Sequence, residues 1–308
     1  MNSKIKGILL LLFLGAVWGS SFLFMKLGME PSAGHRSLSH AQVAGLRMLV
    51  AAGVMLPFAL KRIHILWSKD LPFLLTVGLC GNFIPSYLFT YAGTVLSSGF
   101  CGILNSFTPI FTVLISVLAF KTRIHSLQVL GILVGSYGIF FLVRSGKELT
   151  LENSPMHIGA VLLATLLYGI SVNTIRHKLN HVSPLEVTSL GLLCILPFTL
   201  ISFFVEGTYT SLRNDTYGLE ALGYVFILGF MSTAVSNIYF NRLIKMTSAI
   251  FASSVTYLIP VFAVWFGFLL NESVSLMQLT AMAVLLLGVF LVNFHETLLR
   301  FFRKKNIE

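Results

Sequence analysis

Apolar residues run along this chain in stretches of roughly 20, each long enough to cross a bilayer as a helix. Polar residues gather in the gaps between them. Ten such stretches fall at about 7–27, 41–60, 71–91, 97–119, 127–144, 157–177, 184–205, 219–241, 247–270 and 276–295. The gaps are too short to hold a soluble domain. The pattern predicts an all-α integral membrane fold of ten transmembrane helices. Composition agrees: 56% of the residues are hydrophobic and 10% charged, where soluble domains carry about 25% charged residues.

The net charge of +10 does not imply nucleic acid. With the N-terminus placed in the cytoplasm and the spans alternating, most Lys and Arg residues fall inside, among them Lys61, Arg62, Lys69, Lys178, Arg242 and Lys245. Glu30, Glu206, Asp215, Glu220 and Glu272 fall outside. That is the positive-inside bias, so the basic excess reports topology, with both termini cytoplasmic. Residues 298–308 form a basic cytoplasmic tail. The first apolar run is too long for a signal peptide and is expected to stay as a helix. With short loops and no targeting extension, the expected location is a bacterial inner (plasma) membrane. Cys80, Cys101 and Cys194 lie inside spans, where cysteine behaves as a small hydrophobe, and no disulfide is expected.

The chain repeats itself. Shifted by 150, Trp18-Gly19 falls on Tyr168-Gly169 and Ser21 on Ser171; shifted by 151, Phe89 falls on Phe240, Pro109 on Pro260 and Phe111 on Phe262. The second spans match poorly, with Pro57 and Pro197 out of step by ten residues. The expected units are residues 1–146 and 155–297. Five spans per unit is an odd number, so the second copy enters from the opposite side. Two inverted five-helix repeats are an architecture of secondary transporters, with the substrate near the midplane between the halves.

Both copies carry a proline at the centre of an apolar span. Pro109 leaves the Asn105 carbonyl without its helical donor, and Pro260 does the same to Thr256. Broken backbone at membrane depth is tolerated only within protein or beside a watery cavity. The fourth and ninth helices are therefore expected to kink and face the interior, with Pro109 and Pro260 as gating hinges. Polar positions mark the faces beside them. Asn105 and Thr108 line one face of the fourth span; Thr256 and Tyr257 precede Pro260 in the ninth. Asn82, Ser86 and Thr90 recur every four residues, and Thr233, Asn237 and Asn241 are their equivalents. Trp18 and Tyr168 are paired aromatics away from the interfacial belt. Each of these also suits plain helix packing. The GxxxG face at 131–135 suits close packing within the chain or between two copies, as in a homodimer.

Arg47 lies roughly 9 Å into its span at 1.5 Å per residue. If it points inward, it favours a carboxylate or other anionic group; if outward, it snorkels. There is no GxxxxGK[ST] loop, so no ATP motor is built in and no ATPase subunit is evident. No Asp or Glu lies in the middle of a span. His177 and His181 have i, i+4 spacing, but Arg176 and Lys178 beside them make a poor metal site. No catalytic residue, metal site or cofactor is expected.

Ten helices in two copies over about 300 residues resemble the EamA-type transporters of the drug/metabolite transporter (DMT) superfamily. The resemblance rests on AVWGSSFLFMK, on Arg47 in AGLRMLVAAGVM, on SFTPIFTVLISVLAFKTRI and TYLIPVFAVWFGFLLNESVS, and on the two closing helices. It implies export or uptake of small metabolites, often amino acids or amphiphilic compounds, by alternating access. The family typically ends its fourth and ninth helices with a Gly-Glu-Arg-like sequence. Glu272 keeps the acid, while Lys121 stands at that place in the first copy. The related four-helix multidrug exporters use a glutamate in their first helix; this chain has none there, so their proton exchange is not carried over. The expected function is a secondary transporter moving a small metabolite, an amino acid, organic acid or amphiphilic compound, by alternating access, with export the expected direction. Its partners are that substrate and membrane lipid. The competing readings are a membrane scaffold or assembly protein and, behind it, an enzyme acting on lipid-like substrates.

Overall fold

The computed structural model describes residues 3–67, 69–122, 125–145, 155–267, 276–277, 279–284, 286–288 and 290–291 of the 308. Glu272 and the basic tail 298–308 lie outside the described residues. Among the described residues seven helices are long and apolar enough to cross a membrane. In chain order with the shorter ones they are α1 (Gly7–Met29), α2 (His40–Leu60), α3 (Leu71–Ala92), α4 (Ser98–Phe120), α5 (Ser126–Ser145), α6 (Pro155–His177), α7 (Pro184–Val205), α8 (Gly218–Met246), α9 (249–267) and α10 (Leu279–Gly288). Of these, α5, α9 and α10 are the shorter apolar helices. An isolated bridge between Ser32 and His35 is the only β pairing among the described residues.

The helix packing comes in matched pairs. α1 lies along α8 and α9, and α6 lies along α3 and α4. Two crossings map onto themselves: α2 with α7, and α4 with α9. Glycines permit the closest approaches. A Cβ added at Gly19 would stand 3.1 Å from the Ala263 nitrogen and 3.2 Å from the Ile259 oxygen; one at Gly169 would stand 3.0 Å from the Phe111 carbonyl carbon and the Thr112 nitrogen. The GxxxG face of α5 is used within the chain, since Gly288 of α10 lies against Gly131 and Gly135.

α2 and α7 each begin with a capping box. Ser39 accepts the Gln42 N–H and Gln42 returns to the Ser39 N–H; Ser183 and Glu186 do the same. These two boxes are 144 residues apart, and they register the second spans where the prolines did not. At that spacing the structural counterpart of Arg47 is Gly191.

Both proline helices are broken, though not as bends at the proline. α4 stops at Asn105, turns through Ser106 and Phe107, and restarts at Thr108, so Pro109 opens the second half. Proline suits the first turn of a helix, where its missing N–H has no intrahelical use. In α9 an α-helical turn, Ala249–Ser253, passes through a 3₁₀ turn, Ser254–Tyr257, before the helix Leu258–Gly267 carrying Pro260. The freed carbonyls have partners. Thr108 Oγ1 donates to the Asn105 oxygen at 2.8 Å, and Ser106 Oγ reaches across to the Thr256 oxygen at 3.0 Å. Past the break α4 ends at Lys121, whose φ of 52° is the left-handed conformation of a helix C-terminus.

Polar contacts join the halves at both ends of the bundle. On the basic face His181 meets Asp70 at 2.9 Å, and Arg62 meets Glu186 at 3.1 Å. On the acidic face His35 meets Asp215 at 2.8 Å, and Gln42 donates to the Glu206 oxygen and Ser211 Oγ, both at 2.8 Å. The hydrogen bond from His35 holds the Asp215 carboxyl below its usual range against a smaller opposing push from desolvation, and the Tyr217 N–H adds to it. His177 stacks on Phe120 with centroids 4.3 Å apart. The two histidines at i, i+4 thus point to different neighbours.

Candidate functional site

A central cavity lies between the two halves. It holds about 90 Å³ of space for water centres and is lined from α1, α2, α3, α4, α6, α7, α8 and α9. Trp18, Arg47, Asn82, Ser86, Asn105, Thr108, Tyr168, Thr233, Asn237 and Thr256 all face it. Tyr257 does not. It follows Thr256 in a 3₁₀ turn, where successive side chains point about a third of a turn apart, and it is buried in the apolar core with Phe22, Leu104 and Ile259. Pro109 and Pro260 stand behind the wall, each next to or near a lining residue.

The cavity is built from equivalent parts. Trp18 donates to the Ser232 oxygen and Ser236 Oγ, both at 2.9 Å, and packs edge-on against Phe240 at 4.9 Å. Its counterpart Tyr168 stacks on Phe89, the counterpart of Phe240, at 5.9 Å. These two aromatic pairs, related by the repeat, both line the cavity.

α3 and α8 each open into a π-helical segment, Leu79–Phe83 and Phe230–Val235. The two segments begin 151 residues apart. In each, the same polar position returns to the carbonyl five residues back: Asn82 Nδ2 to Val77 at 3.2 Å, and Thr233 Oγ1 to Leu228 at 3.3 Å. π-bulges concentrate at functional sites because the extra residue re-aims side chains. Here they leave Asn82 Oδ1 to accept from Asn237 Nδ2 at 2.5 Å, joining the halves, and Thr233 Oγ1 to accept from Arg47 Nε at 2.7 Å. Each segment follows a glycine that lets the helix approach its neighbour. Gly78 lies against the Gly191 oxygen, and a Cβ at Gly229 would stand 2.8 Å from the Arg47 oxygen.

Several lining residues escaped the sequence reasoning. Ser232, Thr188 and the apolar Phe22, Met25, Val172, Ile175 and Ile259 complete the wall. Ser21 and Ser171 coincide in the repeat alignment, which was the signal that could have found them. The π segments carry no such signal.

The comparisons with known proteins agree with this architecture. Residues 5–144 and 156–294 each match the EamA-like transporter family. An uncharacterized transporter of Archaeoglobus fulgidus is 25% identical over 280 residues, covering 89% of this chain and 94% of that protein. A probable amino-acid metabolite efflux pump of Escherichia coli K12 is 23% identical, covering 94% and 95%. A probable terminal-alkyne amino-acid exporter of Streptantibioticus cattleyicolor is 23% identical, covering 94% and 93%. In fold, the chain matches a crystal structure of a protein with a TM-score of 0.65 at 14% identity, covering 94% of this chain and 98% of the other. Seven apolar spans among the described residues and relatives named as transporters make the protein a multi-pass integral membrane protein. With both halves matched, the chain belongs to the EamA-like transporter family.

Proposed function

We propose that this membrane transporter works by alternating access, carrying a small metabolite outward through the cavity between two inverted five-helix repeats. The observation that carries the reading is the cavity itself. It is lined by equivalent elements of both halves, with paired aromatics and paired π segments. A site shared between two similar halves can be exposed to either side by exchanging their conformations. The ten apolar helices then each span the membrane, with both termini and the basic face in the cytoplasm. The substrate class is an amino acid, organic acid or amphiphilic compound, and the names of the Escherichia and Streptantibioticus relatives point the same way.

In this reading Trp18, Arg47, Asn82, Ser86, Asn105, Thr108, Tyr168, Thr233, Asn237 and Thr256 hold the substrate. Asn82→Leu or Asn237→Leu removes the amide bridge between the halves, and the remaining amide, partly buried at the cavity wall, takes water in its place. Each is expected to weaken substrate binding at least tenfold, about 1.4 kcal/mol, with the melting temperature of the empty protein little changed. The test is a thermal-shift screen of purified protein against amino acids, organic acids, nucleosides, sugars and cationic dyes, followed by flux of the hit in proteoliposomes. Wild-type affinity in both variants moves the pocket elsewhere. Saturable binding without flux in wild type replaces the transporter with a scaffold or receptor.

A further inference from the structure

We propose, on the basis of the transport reading above, that Arg47 anchors one carboxylate of the substrate and that the rest of the substrate is apolar. A guanidinium has five N–H donors. Arg47 uses Nε on Thr233 Oγ1, and a terminal nitrogen lies 3.9 Å from the Met25 sulfur, a weak acceptor. Among the described residues no Asp or Glu lines the cavity, and the three ion pairs all lie at the faces of the bundle. An unpaired charge at membrane depth is costly and marks a ligand path. A planar guanidinium matches a carboxylate with two parallel hydrogen bonds.

The charge has no twin. Its counterpart in the second repeat is Gly191, which carries no side chain, so among the described residues the cavity wall offers one cation. One cation neutralises a carboxylate and leaves a phosphate dianion half unpaired. It also fixes which way round the substrate lies in an otherwise near-symmetric cavity. Phe22, Phe89, Phe240, Val172 and Ile175 supply the surface for the apolar body.

The test titrates wild type and Arg47→Gln with matched probes: apolar amino acids and monocarboxylates of four to twelve carbons, their primary amides, and the corresponding amines, read by thermal shift. Wild type is expected to bind acids at least tenfold more tightly than their amides, and Arg47→Gln to lose that preference. The acid-over-amide ratio in wild type decides the question even if the variant does not fold. Equal binding of acids and amides, or a preserved ratio in Arg47→Gln, overturns the anchor. Binding of amines or amides alone overturns the anchor and leaves the transporter standing; no shift with any probe overturns both.

A separate observation carries a second inference. The polar contacts at the two faces are copies of each other. His35 and Asp215 correspond to His181 and Asp70, about 145 residues along, and Gln42 and Glu206 correspond to Glu186 and Arg62 at the 144 spacing of the capping boxes. Each contact joins the first repeat to the second. The structure assigns these pairs as clasps, one set per face, of which one opens while the other holds. Both sets are closed here, on either side of the cavity. On the basic face both clasps engage a carboxylate, Asp70 with His181 and Glu186 with Arg62. On the acidic face one does, Asp215 with His35, the other being the neutral Gln42 bridge, so the acidic face is the weaker closure.

Asp70→Asn and Asp215→Asn therefore push the protein in opposite directions. Ser171→Cys in a background lacking Cys80, Cys101 and Cys194 places a thiol in the cavity wall. Membrane-impermeant maleimide is applied to one face in cells and to the other in inverted vesicles. Asp70→Asn is expected to raise the ratio of basic-face to acidic-face labelling about two- to fivefold, in line with single partly exposed ion pairs, and Asp215→Asn to lower it by a similar factor. Shifts in the same direction, or ratios unchanged in both variants, overturn the clasps.

Discussion

Gly19→Leu is expected to destabilise the protein by roughly 3 kcal/mol or more, and Gly169→Leu to do the same, while Gly53→Leu leaves its stability unchanged. The three glycines all lie inside apolar helices, so the contrast isolates packing from composition. At Gly19 an added Cβ meets the α9 backbone just beyond Pro260, 3.1 Å from the Ala263 nitrogen, and at Gly169 it meets the α4 backbone just beyond Pro109, 3.0 Å from the Thr112 nitrogen. Backbone cannot rotate out of the way as a side chain can. The whole crossing must part, and with it the Trp18–Phe240 and Tyr168–Phe89 walls that neighbour the two glycines. Overpacking a well-filled interior costs about 1–3 kcal/mol and sometimes more. A leucine against backbone belongs at the top of that range, roughly 3 kcal/mol or above, out of the 5–15 that typically hold a protein together. At Gly53 nothing lies within 4 Å of an added Cβ. The measurement is monodisperse yield and melting temperature in detergent. Variants at 19 or 169 that melt like wild type would mean the crossings are looser than drawn.

These glycines were visible in the sequence because Trp18-Gly19 and Tyr168-Gly169 coincide in the repeat. The same alignment paired Phe89 with Phe240 and Pro109 with Pro260. Residues that must meet across an internal near-symmetry stay in step, which is why the polar positions Asn82, Thr233 and Asn237 could be singled out before the fold was known. Where the two copies diverge, the reading lost its footing. Pro57 and Pro197 lie inside α2 and α7 and misregister them, because at the 144 spacing of the capping boxes the two prolines sit about one turn out of step. The capping boxes at Ser39 and Ser183 are tied to the helix starts and keep register. The His–Asp pairs lie in loops of unequal length, so no single offset exposes them. The π segments were illegible for another reason: an extra residue in a helix needs no special side chain, and only the hydrogen bonds of Asn82 and Thr233 to carbonyls five back give it away. Tyr257 was singled out by its place just before Pro260, which does not say which way its ring turns, and the structure turns it into the apolar core.

Ser106→Ala is expected to destabilise the protein by about 1–3 kcal/mol, the cost of stranding a buried acceptor, and Pro260→Ala is expected to cancel most of that loss. The Thr256 carbonyl takes its hydrogen bond from Ser106 Oγ at 3.0 Å because Pro260 has no N–H to give. Both Ser106 and Thr256 are buried, so bulk solvent does not reach this hydrogen bond. With alanine at 260 an N–H returns four residues beyond Thr256, in helical register with its carbonyl. The serine hydroxyl then becomes redundant. Melting temperatures of the two single variants and the double variant form a cycle, and its coupling energy is expected to be about 1 kcal/mol or more. Additive effects would mean that the carbonyl is satisfied by something other than Ser106. The same substitution bears on transport. If the break at Pro260 lets the two halves of α9 move independently, Pro260→Ala slows flux while insertion and folding persist, since a continuous helix is stiffer where the broken one turns. Pro109→Ala is expected to do likewise in α4, where Thr108 already bridges to the Asn105 carbonyl at 2.8 Å. The first copy thus repairs its break from within and the second borrows its donor from the first. Stability in the Ser106 cycle and flux in the proline variants therefore separate the two purposes a proline can serve here, and unchanged flux with either alanine would leave the breaks as packing features alone.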